Sequence, residues 1–481
     1  MRQTTLPSGA TPWRSEFAAT LRLSWPLAAA NLLQMLTYAI DVIFIARLGD
    51  EALAASALAI ALFGLIAWSL SGITGAVAPV IAAELGAGTK ALRPIRRATR
   101  MAMWLAVMTG VVGMIACLSI GLVSHATGQA PQIAGMASEY MAVLIWSLIP
   151  LIVANVLRTY VSTLGRPIFA TLITAGGIGV NAVANYAFIF GNLGAPELGL
   201  TGAGVATIIT ALLTVLAYIV AIRLDPALHR YRIFVRFWRP DWKRLREIVR
   251  IGTPIGLTIL AEAGIFGAAA FMMGRFGPAA LAGHTVALQI AALAFQVPFG
   301  IGQAATIRVG YFYGARDSAG MGRAGWVALA IGTSFMAATA LAMLLVPYWL
   351  IAIYVDPHAE RNAELVAFAL QFLLVAAAFQ LVDGIQAVAA GALRGLQDTR
   401  IPMWIAVFAY WVPGIGTALA LAFGTGLDGL GVWIGLATGL AVAAMLLTWR
   451  WTRREKLNLT RRDALVSEAI PTEAPPTQNF F

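Results

Sequence analysis

Three carboxylates, Asp41, Glu262 and Asp383, fall well inside apolar segments of the sequence. A charged group at bilayer depth is costly, so such residues usually mark the path of an ion or a substrate. Two carboxylates drawn from different helices repel unless a cation or a shared proton sits between them, and hard oxygen donors suit Na⁺ or H⁺ rather than soft metals. Glu262 and Asp383, if they meet, therefore read as a site for H⁺ or Na⁺, for which an organic cation could compete. Removal from water favours the neutral form of a carboxyl group. Asp41 reads as a separate proton-exchange site, holding a proton until water enters or the helices around it rearrange. Gln380 and Gln386 flank Asp383 at i−3 and i+3, on or near its helical face.

The elements that must position these groups are membrane helices. Hydrophobic residues make up 60% of the 481 and charged residues 11%, well below the roughly 25% charged usage of soluble domains. The net charge of +11 does not indicate nucleic acid, because no soluble basic domain gathers it; the basic residues punctuate the apolar runs instead. Cys117, the only cysteine, sits in an apolar setting and reads as a buried, inert thiol. The first 22 residues are polar and lack the apolar core of a cleaved signal, so the first helix is expected to be retained.

Segments long enough to span, at about 20 residues per crossing, fall near 24–46, 52–82, 98–122, 133–163, 167–191, 197–222, 248–273, 279–313, 324–350, 364–391, 401–424 and 428–449. The fold expected is all-α and polytopic, with twelve transmembrane helices. The chain divides into an N-terminal cytoplasmic segment (1–23), an amino lobe (24–222), a basic cytoplasmic linker (223–247), a carboxyl lobe (248–449) and a disordered cytoplasmic tail (450–481) that turns Pro-rich and acidic. With a cytoplasmic N-terminus, loops on the far side hold only Arg47, Arg275 and Arg361 of the 33 basic residues, the asymmetry of a positive inner side. Both termini are then cytoplasmic.

The halves repeat each other. Arg47, Gly49 and Leu53 recur as Arg275, Gly277 and Leu281, and Pro26 and Gly86 as Pro254 and Gly314, at an offset of 228 (275 − 47). Arg158 and Pro167 recur as Arg394 and Pro402 at a slightly different spacing. Six helices separate the copies, so the lobes are parallel and related by an axis along the membrane normal, an arrangement whose substrate sites lie near mid-membrane. The offset places Gln34 in the amino lobe where Glu262 stands in the carboxyl lobe, and Ala269 where Asp41 stands. Counted along ideal helices, Asp41 and Asn185 lie roughly 25 and 27 Å above the inner boundary, and Glu262 and Asp383 roughly 17 to 18 Å above it. The polar groups thus occupy two levels.

In this order, the motifs LSWP (23–26), Asp41 near the end of the first helix, RLG (47–49), ELGAG (84–88), NAVANYAFIFG (181–191), TGAGVAT (201–207) and AAGALRGLQDTRIPM (389–403) resemble the multidrug and toxic compound extrusion (MATE) family, over about Leu23 to Trp449. The resemblance implies two six-helix lobes and cation-coupled efflux of bulky, amphipathic, often cationic compounds from a bacterial inner membrane. It implies no cofactor beyond the coupling ion, no nucleic-acid partner, contact with membrane lipids and function as a monomer. Glu262 and Asp383 match the acidic pair of the NorM-like bacterial branch, with Na⁺ or H⁺ bound there. Asp41, Asn181 and Asn185 match the amino-lobe cluster. Certain relatives carry tyrosine one turn before the helix-10 acid, where this chain has Phe379, which shifts the expectation from Na⁺ toward H⁺. Many carry an acid where Asn185 stands, which moves emphasis to the carboxyl lobe.

Gln34, Asn181, Asn185, Gln380 and Gln386 are candidates for substrate or cavity-lining residues. Structural readings stand beside these. Asn181 and Asn185 could be interhelical hydrogen-bond glue, Arg158 and Arg394 anchors of inner helix ends, and His284 a packed core group. Gly414 and Gly416 have no strand before them and no third small residue, and Lys90 lacks Walker spacing, so no nucleotide site is read. The alternative function is a lipid-linked oligosaccharide flippase of a related superfold, which would show more cationic residues in a central cavity. A membrane enzyme lacks any His-rich cluster, acyl-transfer triad or cofactor motif to rest on.

Overall fold

The computed structural model describes residues 12–88 and 91–460, and these are all-helical. Twelve helices are long and apolar enough to cross a membrane: α1 Pro12–Ala46, α2 Asp50–Gly86, α3 Leu92–Ala126, α4 Pro131–Thr163, α5 Pro167–Phe190, α6 Leu200–Leu224, α7 Trp242–Phe276, α8 Pro278–Ala315, α9 Ser318–Leu345, α10 Glu360–Gly395, α11 Arg400–Gly424 and α12 Asp428–Thr452. Large apolar side chains face outward along them, Leu122 and Phe271 being 75% and 80% exposed, a surface that lipid satisfies and water does not.

Helix starts carry sequence signals. Proline opens α4, α5 and α8, where its missing N–H would be unpaired in any case. The Asp241 and Asp317 carboxylates accept from the backbone N–H groups of Arg244 (3.2 Å) and Gly320 (2.8 Å), capping α7 and α9. Gly49 (φ 106°, ψ 171°) and Gly277 (φ 102°, ψ 168°) precede α2 and α8 in nearly identical backbone geometry that a side chain would strain. The first helix is already formed at Pro12, the first described residue, well before the expected start near Ser24, and its polar first turns pack against the other lobe: Arg308 near the end of α8 donates through Nε to Glu16 at 2.8 Å. The expected tail lies mostly outside the described residues, which end with helical turns through 460.

Within each lobe the same neighbours meet. Helices α1 and α5 pack together as do α7 and α11, α2 and α4 as do α8 and α10, α4 and α6 as do α10 and α12, and α5 and α6 as do α11 and α12. Between lobes, α1 packs on α8, α2 on α7, and the last turns of α2 on α8. These pairings interchange when six is added to or subtracted from each helix number, as a twofold relation requires.

The close approaches obey the same relation residue by residue. A Cβ at Gly86 would collide with the Tyr311 carbonyl oxygen, and one at Gly314 with the Ala83 carbonyl oxygen; 83 and 311, like 86 and 314, differ by 228. Gly72 against Gly256 is matched by Gly300 against Ala28 at that offset. These contacts, with the Glu16–Arg308 and Glu84–Arg244 (2.6 Å) ion pairs, lie toward the end of the bundle that carries both described termini, the end that the charge asymmetry leads one to expect on the inner side and that is called the inner end below. The lobes are held together there. The linker runs along the same end, where its Arg236 and Phe237 carbonyls accept from Arg100 (2.7 Å) and Trp104 (3.0 Å) of α3.

Candidate functional site

Carboxylates inside the helical bundle fall into two groups, all of them buried except the half-buried Glu262. Glu16 and Glu84 are each bonded to an arginine at the inner end. Asp41, Glu262 and Asp383, farther along their helices, have no basic nitrogen within 4 Å among the described residues. A buried acid without a counter-charge must be satisfied by neutral donors or a bound cation, or hold a proton.

Asp41 is satisfied by neutral donors. Asn181 and Asn185, one turn apart on α5, point their amide nitrogens at its Oδ1 from 3.0 and 2.7 Å, and the Asn185 amide also donates to Asn181 Oδ1 at 3.1 Å. All three side chains are buried. Tyr38, one turn before Asp41, and Tyr140 of α4 lie within electrostatic reach of the carboxylate. Both asparagine amides are thus spent on the acid. Asn181 and Asn185 partner Asp41 inside the lobe and do not border the cavity between the lobes described below.

The carboxyl-lobe cluster is built from α7, α10 and α11. Glu262 and Asp383 lie within electrostatic range of one another, and Tyr410 is within range of both. Gln386 donates to the Tyr410 hydroxyl at 2.7 Å, and Gln380 donates to the Ala291 carbonyl at 3.2 Å. Asp383 Oδ1, Gln380 Oε1 and Gln386 Oε1 are buried oxygens without a hydrogen-bond partner among the described residues. Unpaired hard oxygens beside two carboxyl groups are a donor set that fits H⁺ or Na⁺. No group of three or more His, Cys, Asp or Glu suited to a metal occurs among the described residues.

Phe379 packs its ring edge-to-face on Phe266 (6.2 Å) and Trp433 (5.8 Å). A different hydroxyl, that of Tyr410 on α11, lies within electrostatic range of both acids. It sits where the α-helix gives way to a π-helical turn, Tyr410–Gly414, around Pro413, a distortion common at functional positions. Sequence patterning carried no signal for that turn beyond the proline.

Between the lobes lies a cavity of about 170 Å³. Leu27, Asn31, Gln34 and Tyr38 climb its wall on α1, one turn apart, and α2, α4, α7, α8 and α10 supply the rest. Gln34 is the one expected cavity residue found in this wall. Gln386 borders instead an adjoining void of about 10 Å³, and Gln380 is fully buried in its lobe. His284 is packed edge-on against Trp433 at 5.6 Å.

Arg158 and Arg394 depart most from expectation. Both line the cavity from equivalent places in the two lobes, whereas the sequence suggests anchors of inner helix ends. Arg158 donates to Gln34 Oε1 at 3.1 Å and to Asn31 Oδ1. Arg394 borders both the cavity and the adjoining void, within electrostatic range of Glu262. The arginine beside Gln34 in one lobe is thus mirrored by an arginine near Glu262 in the other. Their position near helix ends suggested anchoring; a long side chain that turns inward is not visible in spacing alone.

Comparisons with known proteins agree with this architecture. The sequence matches the MatE family over residues 26–187 and 254–419, two segments that begin 228 positions apart. It is 43% identical over 446 residues to a probable multidrug resistance protein NorM of Brucella suis biovar 1, covering 93% of this chain and 95% of that one. To the multidrug resistance protein NorM of Burkholderia vietnamiensis it is 38% identical, covering 93% and 96%. The fold superposes with a TM-score of 0.82 on a MOP superfamily transporter from Pyrococcus furiosus at 25% identity, covering 93% and 97%. It superposes with a TM-score of 0.80 on an outward-facing multidrug resistance MATE family transporter at 24% identity, covering 92% and 97%.

Proposed function

The chain belongs to the MatE family and is a multi-pass membrane transporter rather than an enzyme, and from that premise we propose that it is a secondary active multidrug exporter of the bacterial inner membrane. Its cargo would be bulky amphipathic compounds, cationic ones among them, moved by antiport with H⁺, Na⁺ or both. Both termini and the linker would face the cytoplasm. The inner end is where the lobes are sealed, so the arrangement described corresponds to an outward-facing state; alternating access would part the inner seam and close the outer ends.

The observation that carries this reading is the separation of acids from cavity. The cavity wall holds no Asp or Glu, while Asp41 in one lobe and Asp383 with the half-buried Glu262 in the other lie behind it, with no basic nitrogen within 4 Å among the described residues. Ion exchange at such positions alters packing inside a lobe, and the cargo is released from a different place. Arg394, bordering the cavity and the void beside Gln386, gives the carboxyl-lobe cluster a physical connection to the cargo. The roles follow: Asp41 exchanges protons under the control of Asn181 and Asn185, and Glu262 with Asp383 holds the coupling ion.

Efflux of a fluorescent drug from everted vesicles under an imposed ion gradient tests this. Asp383→Asn and Asp41→Asn change charge at nearly constant volume, so each is expected to remove gradient-driven efflux while membrane abundance stays normal. Full efflux by Asp383→Asn would remove the coupling role from that residue.

A further inference from the structure

The central cavity is electrically unlike the cationic cargo that its family resemblance suggests. Its wall includes two guanidinium groups, Arg158 and Arg394, and no carboxylate. No acid lies within 4 Å of either among the described residues. Arg158 is held by the neutral amide oxygens of Gln34 and Asn31, which orient the group without cancelling its charge. At the inner end, by contrast, the half-buried Arg244 and Arg308 meet Glu84 and Glu16. Arg394 has Glu262 within electrostatic range behind the wall, but at the cavity surface itself the two guanidiniums are the charged groups.

Above the arginines the wall turns aromatic. Trp68 and Phe299 approach across the lobe interface with ring centroids 6.2 Å apart. Tyr38 and Trp68 remain 38% and 39% exposed, which leaves their faces free for a ligand. A guanidinium binds a carboxylate, sulfonate or phosphate through paired N–H donors, and exposed aromatic faces take a flat apolar body.

We propose that this cavity selects amphipathic organic anions and zwitterions, with Arg158 and Arg394 receiving the anionic group and Tyr38, Trp68 and Phe299 the aromatic body. The inference rests on the efflux reading above and names the cargo class of the same cavity. A zwitterion satisfies both features of the protein: its anionic group meets the arginines, and its cationic group is left for the acid-bearing lobes to attract. A compound with only a positive charge meets two like charges and has no acid in the wall to offset them.

The test uses three dyes of one xanthene body: a carboxylate fluorescein, a zwitterionic carboxyl rhodamine and the rhodamine ethyl ester, which is cationic. Binding to the full-length protein is measured by fluorescence polarisation in phosphatidylcholine nanodiscs, and efflux is followed in cells. The acid forms should bind about tenfold or more tighter than the ester, the scale of a charge-assisted hydrogen-bonded pair. Arg158→Gln with Arg394→Gln should reduce that preference to about threefold or less, while Arg158→Lys with Arg394→Lys, which keeps the charge, should retain part of it. Size-exclusion profiles and thermal midpoints in detergent identify variants that do not fold, for which the lysine pair gives the decision. Equal binding of ester and acid, or a preference untouched by the glutamine pair, overturns the proposal. Export of the ester but not the acids overturns the cargo class and leaves the efflux reading standing; no export of any dye removes both. Loss of acid-dye binding when phosphatidylglycerol is added to the nanodiscs would assign the two arginines to a lipid phosphate and overturn selection of soluble cargo.

Discussion

Gln34 and Glu262 are counterparts at an offset of 228, and each has an arginine for company, but only the carboxyl lobe places an acid there. Gln34→Glu would convert the 3.1 Å amide contact to Arg158 into a charge-assisted pair. It is expected to fold with an unchanged or raised thermal midpoint, and to weaken binding of a carboxylate dye by about tenfold as one guanidinium is neutralised. Gln34→Leu removes an acceptor from Arg158 while Asn31 stays, at a cost of about 1 to 3 kcal/mol in stability, measurable by thermal unfolding. An unfolded Gln34→Glu beside a stable Gln34→Leu would mean that the site rejects charge. The acids were legible in the sequence because a carboxylate among apolar residues stands out against its neighbours. Asn181 and Asn185 gathering round Asp41 followed from depth counting and family resemblance together. The arginines at 158 and 394 and the hydroxyl of Tyr410 were not legible as site groups, because which way a side chain points from a helix end or a π-turn depends on packing between helices that are distant in sequence.

Twelve helices were legible because lipid demands long apolar runs with every backbone group bonded internally. Their ends were less so. The helical turns of α1 before Ser24 are tied down by Glu16 finding Arg308, 292 residues away, and no local pattern reports that pairing. Two glycines test whether the inner seam is a gate. Gly86→Val and Gly314→Val would each force a side chain into a backbone carbonyl of the opposite lobe, so either is expected to part the inner ends. The check is accessibility of a cysteine placed at Gln303, in the cavity wall, to a thiol reagent applied from the cytoplasmic side, which should rise severalfold. Gly49→Ala is the contrasting case. Nothing crowds its Cβ, and the positive φ alone should cost about 1 to 3 kcal/mol of stability without exposing the seam.

At the scale of the whole molecule, the parallel repeat and its lobes followed from a constant offset, whereas the end at which the lobes are sealed did not. That choice depends on how two rigid bodies lean against each other, and a few kcal/mol decide such equilibria. The coupling ion is a property of the same scale. If protons drive export, collapsing the pH gradient in sodium-free buffer should stop efflux, and sodium alone should drive little. Persistent sodium-driven transport without a pH gradient, lost in Glu262→Gln, would give the carboxyl-lobe cluster to Na⁺ instead. The twofold relation between lobes also provides a ruler. A line joining two equivalent points crosses the axis at a right angle, so its length changes with lobe separation and is blind to rotation about the axis or sliding along it. Arg47 and Arg275 are such a pair, both exposed at the outer helix ends, and the lone native thiol, Cys117, is buried. Spin labels on cysteines at those two positions would therefore report, as a single distance, how far apart the outer mouths stand in each ionic condition.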